Sequence, residues 1–265
     1  MRTPTLLLYG IVALILAWLI IPIIIIVPMS FSSTRFLTFP PPSWSMRWYE
    51  AYLGSAAWMQ ATRVSLIVSV SSAILATILG TAAAYALNMT SSRLVRSLQM
   101  LLLLPLVIPI VITAIGLFLV YAQVGLLASM TGLILANVML GLPYVIIPVL
   151  VGLRKFDPTR EMVSRSLGMN RLRTFFVVTL PQIRPSVISG MLFAFISAMD
   201  ETVVSLFISG GEYQTLTKRM FTALRDEIDP TIAAISSLLT AISFFMVMLV
   251  AINAHSTDRK QGKAA

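Results

Sequence analysis

No cysteine occurs in the 265 residues, and the single histidine, His255, lies near the C-terminal end. The first absence excludes disulfides and thiolate metal sites, and the second excludes histidine-based catalysis within the apolar body of the chain. Charge is scarce as well: 11% of residues are Asp, Glu, Lys or Arg, against roughly 25% in ordinary soluble domains. In its place stand 58% hydrophobic residues and a mean hydropathy of +0.92. Such a chain is a polytopic membrane protein, and neither a catalytic residue nor a metal site is expected in it. The phosphate-cradling pattern G-x-x-x-x-G-K-[ST] is missing too, so the chain does not itself hold a nucleotide. Its net charge of +9 is read as basic loops retained on the cytoplasmic side rather than as a nucleic-acid surface.

A hydrocarbon core about 30 Å thick needs roughly 20 apolar residues per helix. Six stretches meet that length: residues 6–29, 64–89, 98–122, 131–153, 186–209 and 231–253. The fold class expected is therefore all-α, a single membrane domain over residues 1–265 with six transmembrane helices. The first stretch outruns the 7–15 residues of a signal-peptide core and no A-x-A-like site follows it, so it is read as an anchor. With six spans both termini share one side. That side collects 13 of the 19 Lys and Arg residues, among them Arg2, Arg93, Arg96 and the seven basic residues of 154–185. The positive-inside rule makes it cytoplasmic. Trp44, Trp48 and Trp58 then fall outside, where amphipathic rings suit the membrane interface.

Ser72, Ala76, Gly80 and Ala84 recur every four residues and mark a helix face that a second helix can approach closely. Pro105 and Pro109 in the third span, and Pro143 and Pro148 in the fourth, remove backbone donors and predict kinks.

Between the fourth and fifth spans lies far more structure than a turn requires. Asp157 suits an N-cap, Pro158 the first helical position, Glu161 the anion-favouring first turn and Gly168 a C′ position, which together predict a short helix over 158–167. A second helical stretch follows, and Pro181 and Pro185 are read as handing it to span five. The spacing of Leu167 and Gly168 from Leu180 and Pro181, on the last large loop of a six-span protein, resembles the EAA loop of type I ABC importer permeases. "VPMSFSSTRF", "MDETVVSLFISGG" and "EIDPTIAAISSLL" resemble the spermidine/putrescine-type second permease. Where that family has Glu-Ala-Ala, this chain has Met162, Val163 and Ser164, with Glu161 displaced by one.

The resemblance implies a MetI-like permease fold in a bacterial inner membrane and a coupling loop over 154–185. Asp157, Glu161, Ser164, Leu167, Gly168, Met169, Leu180 and Pro181 are the candidates for ATPase coupling. It also implies partners: ABC ATPase subunits that carry ATP and Mg, a homologous second permease and an extracytoplasmic solute-binding protein. Asp200 and Glu201 are the only ionisable groups inside the expected spans. Charges there are costly and usually face a cavity or a partner. They are the substrate-path candidates, which a cationic solute suits, with Asn137 and Gln123 as weaker lining candidates that also read as interhelical glue. Polyamines, amino-acid-like solutes and phosphonates all fit the class. An ion-coupled secondary transporter using Asp200 and Glu201 is the rival function, although such folds need no elaborated cytoplasmic loop. An aspartyl intramembrane protease would need two separated aspartates. Reporter fusions after Ser92 and after Arg173 should score cytoplasmic and one after Pro42 external; an external score at Arg173 overturns the layout.

Overall fold

The structure, a computed structural model, describes residues 3–90, 92–226 and 229–261. Arg2 and Lys263, counted above for orientation, lie outside the described residues. The chain is helical almost throughout: α1 (Thr3–Ser30), α2 (Arg47–Gly54), α3 (Ala56–Asn88), α4 (Arg93–Leu103), α5 (Ile110–Val124), α6 (Met130–Lys155), α7 (Thr159–Ser166), α8 (Arg171–Thr174), α9 (Leu180–Asp200), α10 (Val203–Ile208), α11 (Leu216–Asp226) and α12 (Thr231–Gln261). Five helical stretches are long and apolar enough to cross a bilayer: Leu8–Ser30, Ala56–Asn88, Met130–Lys155, Arg171–Asp200 and Thr231–Met248. The described residues form two compact units, one of 1–59 with 219–245 and one of 60–218 with 246–265.

In the first unit, the turn after α1 is a polar and aromatic knot. Ser30 and Tyr49 share a hydroxyl–hydroxyl hydrogen bond of 2.7 Å, Phe31 packs on Tyr49 with ring centroids 5.1 Å apart, and the Arg47 guanidinium donates to the Ser33 carbonyl at 2.8 Å. Only Trp44 of the three expected interface tryptophans is exposed. Trp48 and Trp58 are buried, each with an arginine (Arg47 and Arg219) stacked over its ring at 4.7 and 4.8 Å.

The second unit is built on α6, which packs against α9 and against the small-residue face of α3. Ser72, Ala76, Gly80 and Ala84 are all buried, as their spacing predicts. A Cβ on Gly80 would meet the Val145 side chain at 2.9 Å, and one on Gly141 would meet Ala76 and Ala194 at 3.4 and 3.5 Å. The intervening residues Leu66, Ile67, Val70, Ile74, Ile78 and Leu79 are exposed, the arrangement of a helix with one face in lipid. A second cluster joins Val64 and Val68 of α3 to Ala114, Tyr121, Leu133, Leu140, Val204 and Ile208, so α5 and the short α10 share a core with α6.

Two expected spans are corrected. The third is not one helix over 98–122: α4 and a 3₁₀ turn at Leu104–Leu106 meet α5 at 99°. Pro105 and Pro109 explain the break, since neither has an N–H to give a continuing ladder. The fifth does not begin at 186: the helix runs unbroken from Arg171 to Asp200, stops, and resumes as α10. Pro181 is accommodated inside it by a π-helical stretch at Phe175–Thr179, whose wider turn relieves the clash between a proline ring and the preceding carbonyls. Pro143 and Pro148 do not interrupt α6. Pro148 frees the carbonyl of Tyr144, four residues back, and Gly190 of α9 lies against both: a Cβ there would sit 3.3 Å from Pro148 and 3.4 Å from that oxygen.

Gly80→Leu should cost about 1–3 kcal/mol by overpacking the α3–α6 seam. Gly116→Leu, where nothing lies within 4 Å of the added carbon, should leave thermal unfolding in detergent unchanged. Equal effects at the two positions would refute the seam.

Candidate functional site

At one end of α3, α6 and α9 the segment 154–185 folds as a helix, a glycine turn and a second helix. The Asp157 carboxylate accepts from the Thr159 N–H at 2.9 Å, and hydrogen bonds from Thr159 hold it below the usual carboxylate range. The helix starts at Thr159, with Pro158 rather than Asp157 in the N-cap position, so the aspartate caps from one residue further out than expected. At the other end the Gly168 N–H donates to Arg165 and the Met169 N–H to Ser164, at 3.0 and 3.2 Å. This double closure is a Schellman turn, which requires a left-handed residue. Gly168 supplies it at φ 89°. Asn170, which sequence reasoning passed over although asparagine is a good cap, opens the second helix by accepting from the Arg173 N–H at 2.8 Å.

The displaced glutamate anchors this segment. Thr179 and Tyr85 both donate to the Glu161 carboxylate, Tyr85 at 3.3 and 3.4 Å. The Tyr85 ring in turn packs at a tilt against Phe175 with centroids 4.6 Å apart. Ser164 is buried and bonds the Glu161 carbonyl at 3.1 Å and Thr174 at 3.4 Å. Arg160 reaches Gln182 at 2.7 Å. Leu180 packs against the α3–α6–α9 core, while Pro181 is exposed. With its polar side anchored, α7 presents Met162, Val163 and Leu167 outward, 58%, 55% and 79% exposed. Tyr85, Thr174, Phe175 and Thr179 were not among the sequence candidates; the only signal available was a tyrosine flanking the last small residue of the α3 stripe.

The second group of candidates separates. Asp200 ends α9 with its carboxylate exposed and bound to none of the described residues. Glu201 is not a free substrate-path carboxylate: it accepts from the backbone N–H of Val204 at 2.8 Å and of Ser205 at 2.9 Å, and from the Ser205 hydroxyl at 3.2 Å. It caps α10, where a negative charge meets the positive end of the helix dipole. Lys218, expected in an outer loop, lies at the opposite end of α10 and donates to the carbonyls of Leu206, at 3.3 Å, and Ser209. Thr217 completes the tether by donating to the Glu201 carbonyl at 2.9 Å. Asn137 is buried and donates back to Leu133 at 2.9 Å, so it lines no open surface of this chain, and Gln123 is exposed at the end of α5.

The described residues hold five helical stretches long and apolar enough to cross a bilayer, or six spans with the bent pair counted as one. The profile described as "Binding-protein-dependent transport system inner membrane component" matches residues 76–259. The chain belongs to this family. It is 31% identical over 234 residues to the spermidine/putrescine transport system permease protein PotC of Haemophilus influenzae, covering 88% of this chain and 90% of that one. To the putrescine transport system permease protein PotI of Escherichia coli it is 35% identical over 225 residues, with 82% and 80% covered. A molybdenum transport system permease protein, ModB of Mycobacterium bovis, is 30% identical over 221 residues, with 78% and 82% covered. In shape it matches a chain of a bacterial ABC transporter involved in alginate import, with a TM-score of 0.72 at 16% identity and 96% of each chain covered. The expected all-helical importer-permease fold and multi-pass place in the inner membrane follow. The free-carboxylate pair that the rival secondary-transporter reading rested on is reduced to Asp200.

Glu201→Ala should loosen α10: amide hydrogen exchange over 203–208 is expected to rise about tenfold, the worth of a typical lost cap. Lys218→Met should do so from the other end. Exchange unchanged in both variants would refute the capping roles.

Proposed function

We propose that this chain forms one half of the translocation path of an ATP-driven importer for a small cationic, polyamine-like solute. In this reading α7 and the turn after it dock into a separate ATPase subunit, which carries the ATP and Mg. A homologous second permease completes the path, and an extracytoplasmic binding protein delivers the solute. Both termini face the cytoplasm, and residues 1–265 act as one membrane domain.

The observation that carries the coupling role is the exposed apolar face of α7 on a helix otherwise fixed by hydrogen bonds at Asp157, Glu161, Ser164 and Gly168. Three large apolar side chains turned outward from a rigid mount suit a protein groove, as in helix-in-groove recognition. The mount is continuous with the candidate path: Leu180 and Asp200 bound one helix, α9, about 30 Å long at 1.5 Å per residue. Movement at α7 therefore reaches Asp200 through a stiff rod. Support for the solute class comes from the polyamine permeases among the relatives and from Asp200, an unpaired carboxylate whose charge attracts a cation. Glu201 has no direct role in this reading; it fixes the chain that carries Asp200.

Gly168→Val forces a β-branched residue into a left-handed backbone. It should leave membrane abundance unchanged, abolish transport and remove the stimulation of ATP hydrolysis by loaded binding protein. Asp200→Asn should lower transport of a polyamine while ATPase co-purification persists. Stimulated hydrolysis at the parental level in Gly168→Val sinks the coupling assignment and leaves α7 as a helix on the lipid surface.

A further inference from the structure

Beside the anchored segment, where α3 and α6 end and α4 begins, lies a polar cavity of about 330 Å³. Arg96 of α4 and Arg154 in the last turn of α6 line it, with Asn88, Ser92 and Gln99 between them. A neighbouring cavity of about 400 Å³ shares Asn88 and Arg154 and adds Arg171. None of these three guanidinium groups has an acidic partner: Arg225 with Asp226 is the one ion pair among the described residues. Glu161, the carboxylate that borders the second cavity, is occupied by Tyr85 and Thr179.

The surroundings identify what such a cluster would hold. α3 and α6 both cross the bilayer, so their ends lie at the headgroup level. α4 leaves that level at a steep angle to α5 and is two-sided. Val95, Gln99 and Leu102 turn toward the protein, whereas Leu94, Leu98 and Leu101 form an outward apolar stripe, 69%, 45% and 62% exposed. An amphipathic helix of this kind lies in the interface with its apolar face among acyl chains. Arg96 thus sits on the border between lipid and a polar cavity that Arg154 also lines. Basic pockets between membrane helices at this depth recognise phosphate headgroups, and arginine matches phosphate through paired N–H donors.

We propose that Arg96 and Arg154 form a binding site for the phosphate of an anionic phospholipid, whose chains run along the Leu94–Leu98–Leu101 stripe of α4. The site requires only that α3 and α6 span the bilayer, so it stands or falls separately from the transport reading. Its chemistry is that of a phosphodiester beside two guanidinium groups, with Asn88 and Gln99 as neutral donors. The bound lipid would join the start of α4 to the end of α6.

The test uses the purified full chain, with whatever subunits co-purify, studied by native mass spectrometry with phosphatidylglycerol, phosphatidylcholine or inorganic phosphate as the added probe. Retention of phosphatidylglycerol over phosphatidylcholine by the parental protein is expected. Arg96→Gln with Arg154→Gln should weaken it roughly 30-fold, about what two interfacial arginines contribute. Arg96→Lys with Arg154→Lys, which keeps the charge and protects insertion, should weaken it less. Arg173→Gln, remote from the cavity lining, should change nothing. Equal retention of both lipids by the parental protein overturns the proposal. So does displacement of the lipid by inorganic phosphate, which would make this a free-phosphate site. Loss of ATPase co-purification in the glutamine variant with lipid retention intact also overturns it and assigns the arginines to protein docking.

Discussion

A backbone amide or carbonyl left without a partner in hydrocarbon costs several kcal/mol, and the interruption between α9 and α10 is arranged around that cost. α10 is only six residues long, too short to be stable by its own hydrogen bonds, and its ends leave backbone groups that need partners. Glu201 answers the free N–H groups at one end and Lys218 the free carbonyls at the other. The two charges do not meet as an ion pair; each is compensated by the end of the helix between them. Pro148 poses the same problem on a smaller scale: the carbonyl it frees in α6 lies at the close approach of Gly190, where the absence of a side chain lets the two helices meet.

The constraint also explains which parts of the fold were legible in the sequence. The first and fourth spans were, within about two residues, because bilayer thickness fixes their length, whereas the helix from Arg171 to Asp200 runs through Arg171, Arg173 and Arg184, which charge alone places outside it. The small-residue face of α3 was legible because a spacing of four places residues on one side of a helix whatever the neighbour. Prolines were legible only as potential breaks. Pro105 and Pro109 accompany a bend of 99°, whereas Pro143 and Pro148 lie in a continuous helix. The difference lies in what packs alongside, and that is a property of the tertiary structure. Glu201 shows a related limit. A carboxylate inside an apolar run signals a cost to be met, and nothing in the run itself says whether a solute, a partner or the chain's own amides meet it.

At the anchored segment the local signals were strong, because caps and glycine turns are short-range. Asp157, Glu161 and Gly168 act in one helix within twelve residues of each other, and each occupies the end of α7 that its chemistry favours. The partners that give Glu161 its anchoring role could not be read there, since Tyr85 lies 76 residues before it. The displacement of the glutamate by one position also resolves physically. Ser164, at a place where the family pattern has alanine, is buried against Thr174, so a small residue is what this position requires. Glu161, one residue before the pattern's glutamate, faces Tyr85 and Thr179.

These two regions are joined by the one element that connects them without a break. The helix from Arg171 to Asp200 begins beside α7, is locally widened at Phe175–Thr179 and ends at Asp200, whose carboxylate is bound to none of the described residues. A π-helical turn is less regular than the α-helix on either side, and here it contains Phe175 and Thr179, the residues that touch Tyr85 and Glu161. The anchoring hydrogen bonds thus lie on the least regular part of the rod, while the part beyond Leu180 is held against α6 by Gly141, Pro148 and Gly190. In the coupling proposed above, the anchor and the wide turn set how force enters the helix, and the close contact with α6 sets the direction in which Asp200 moves.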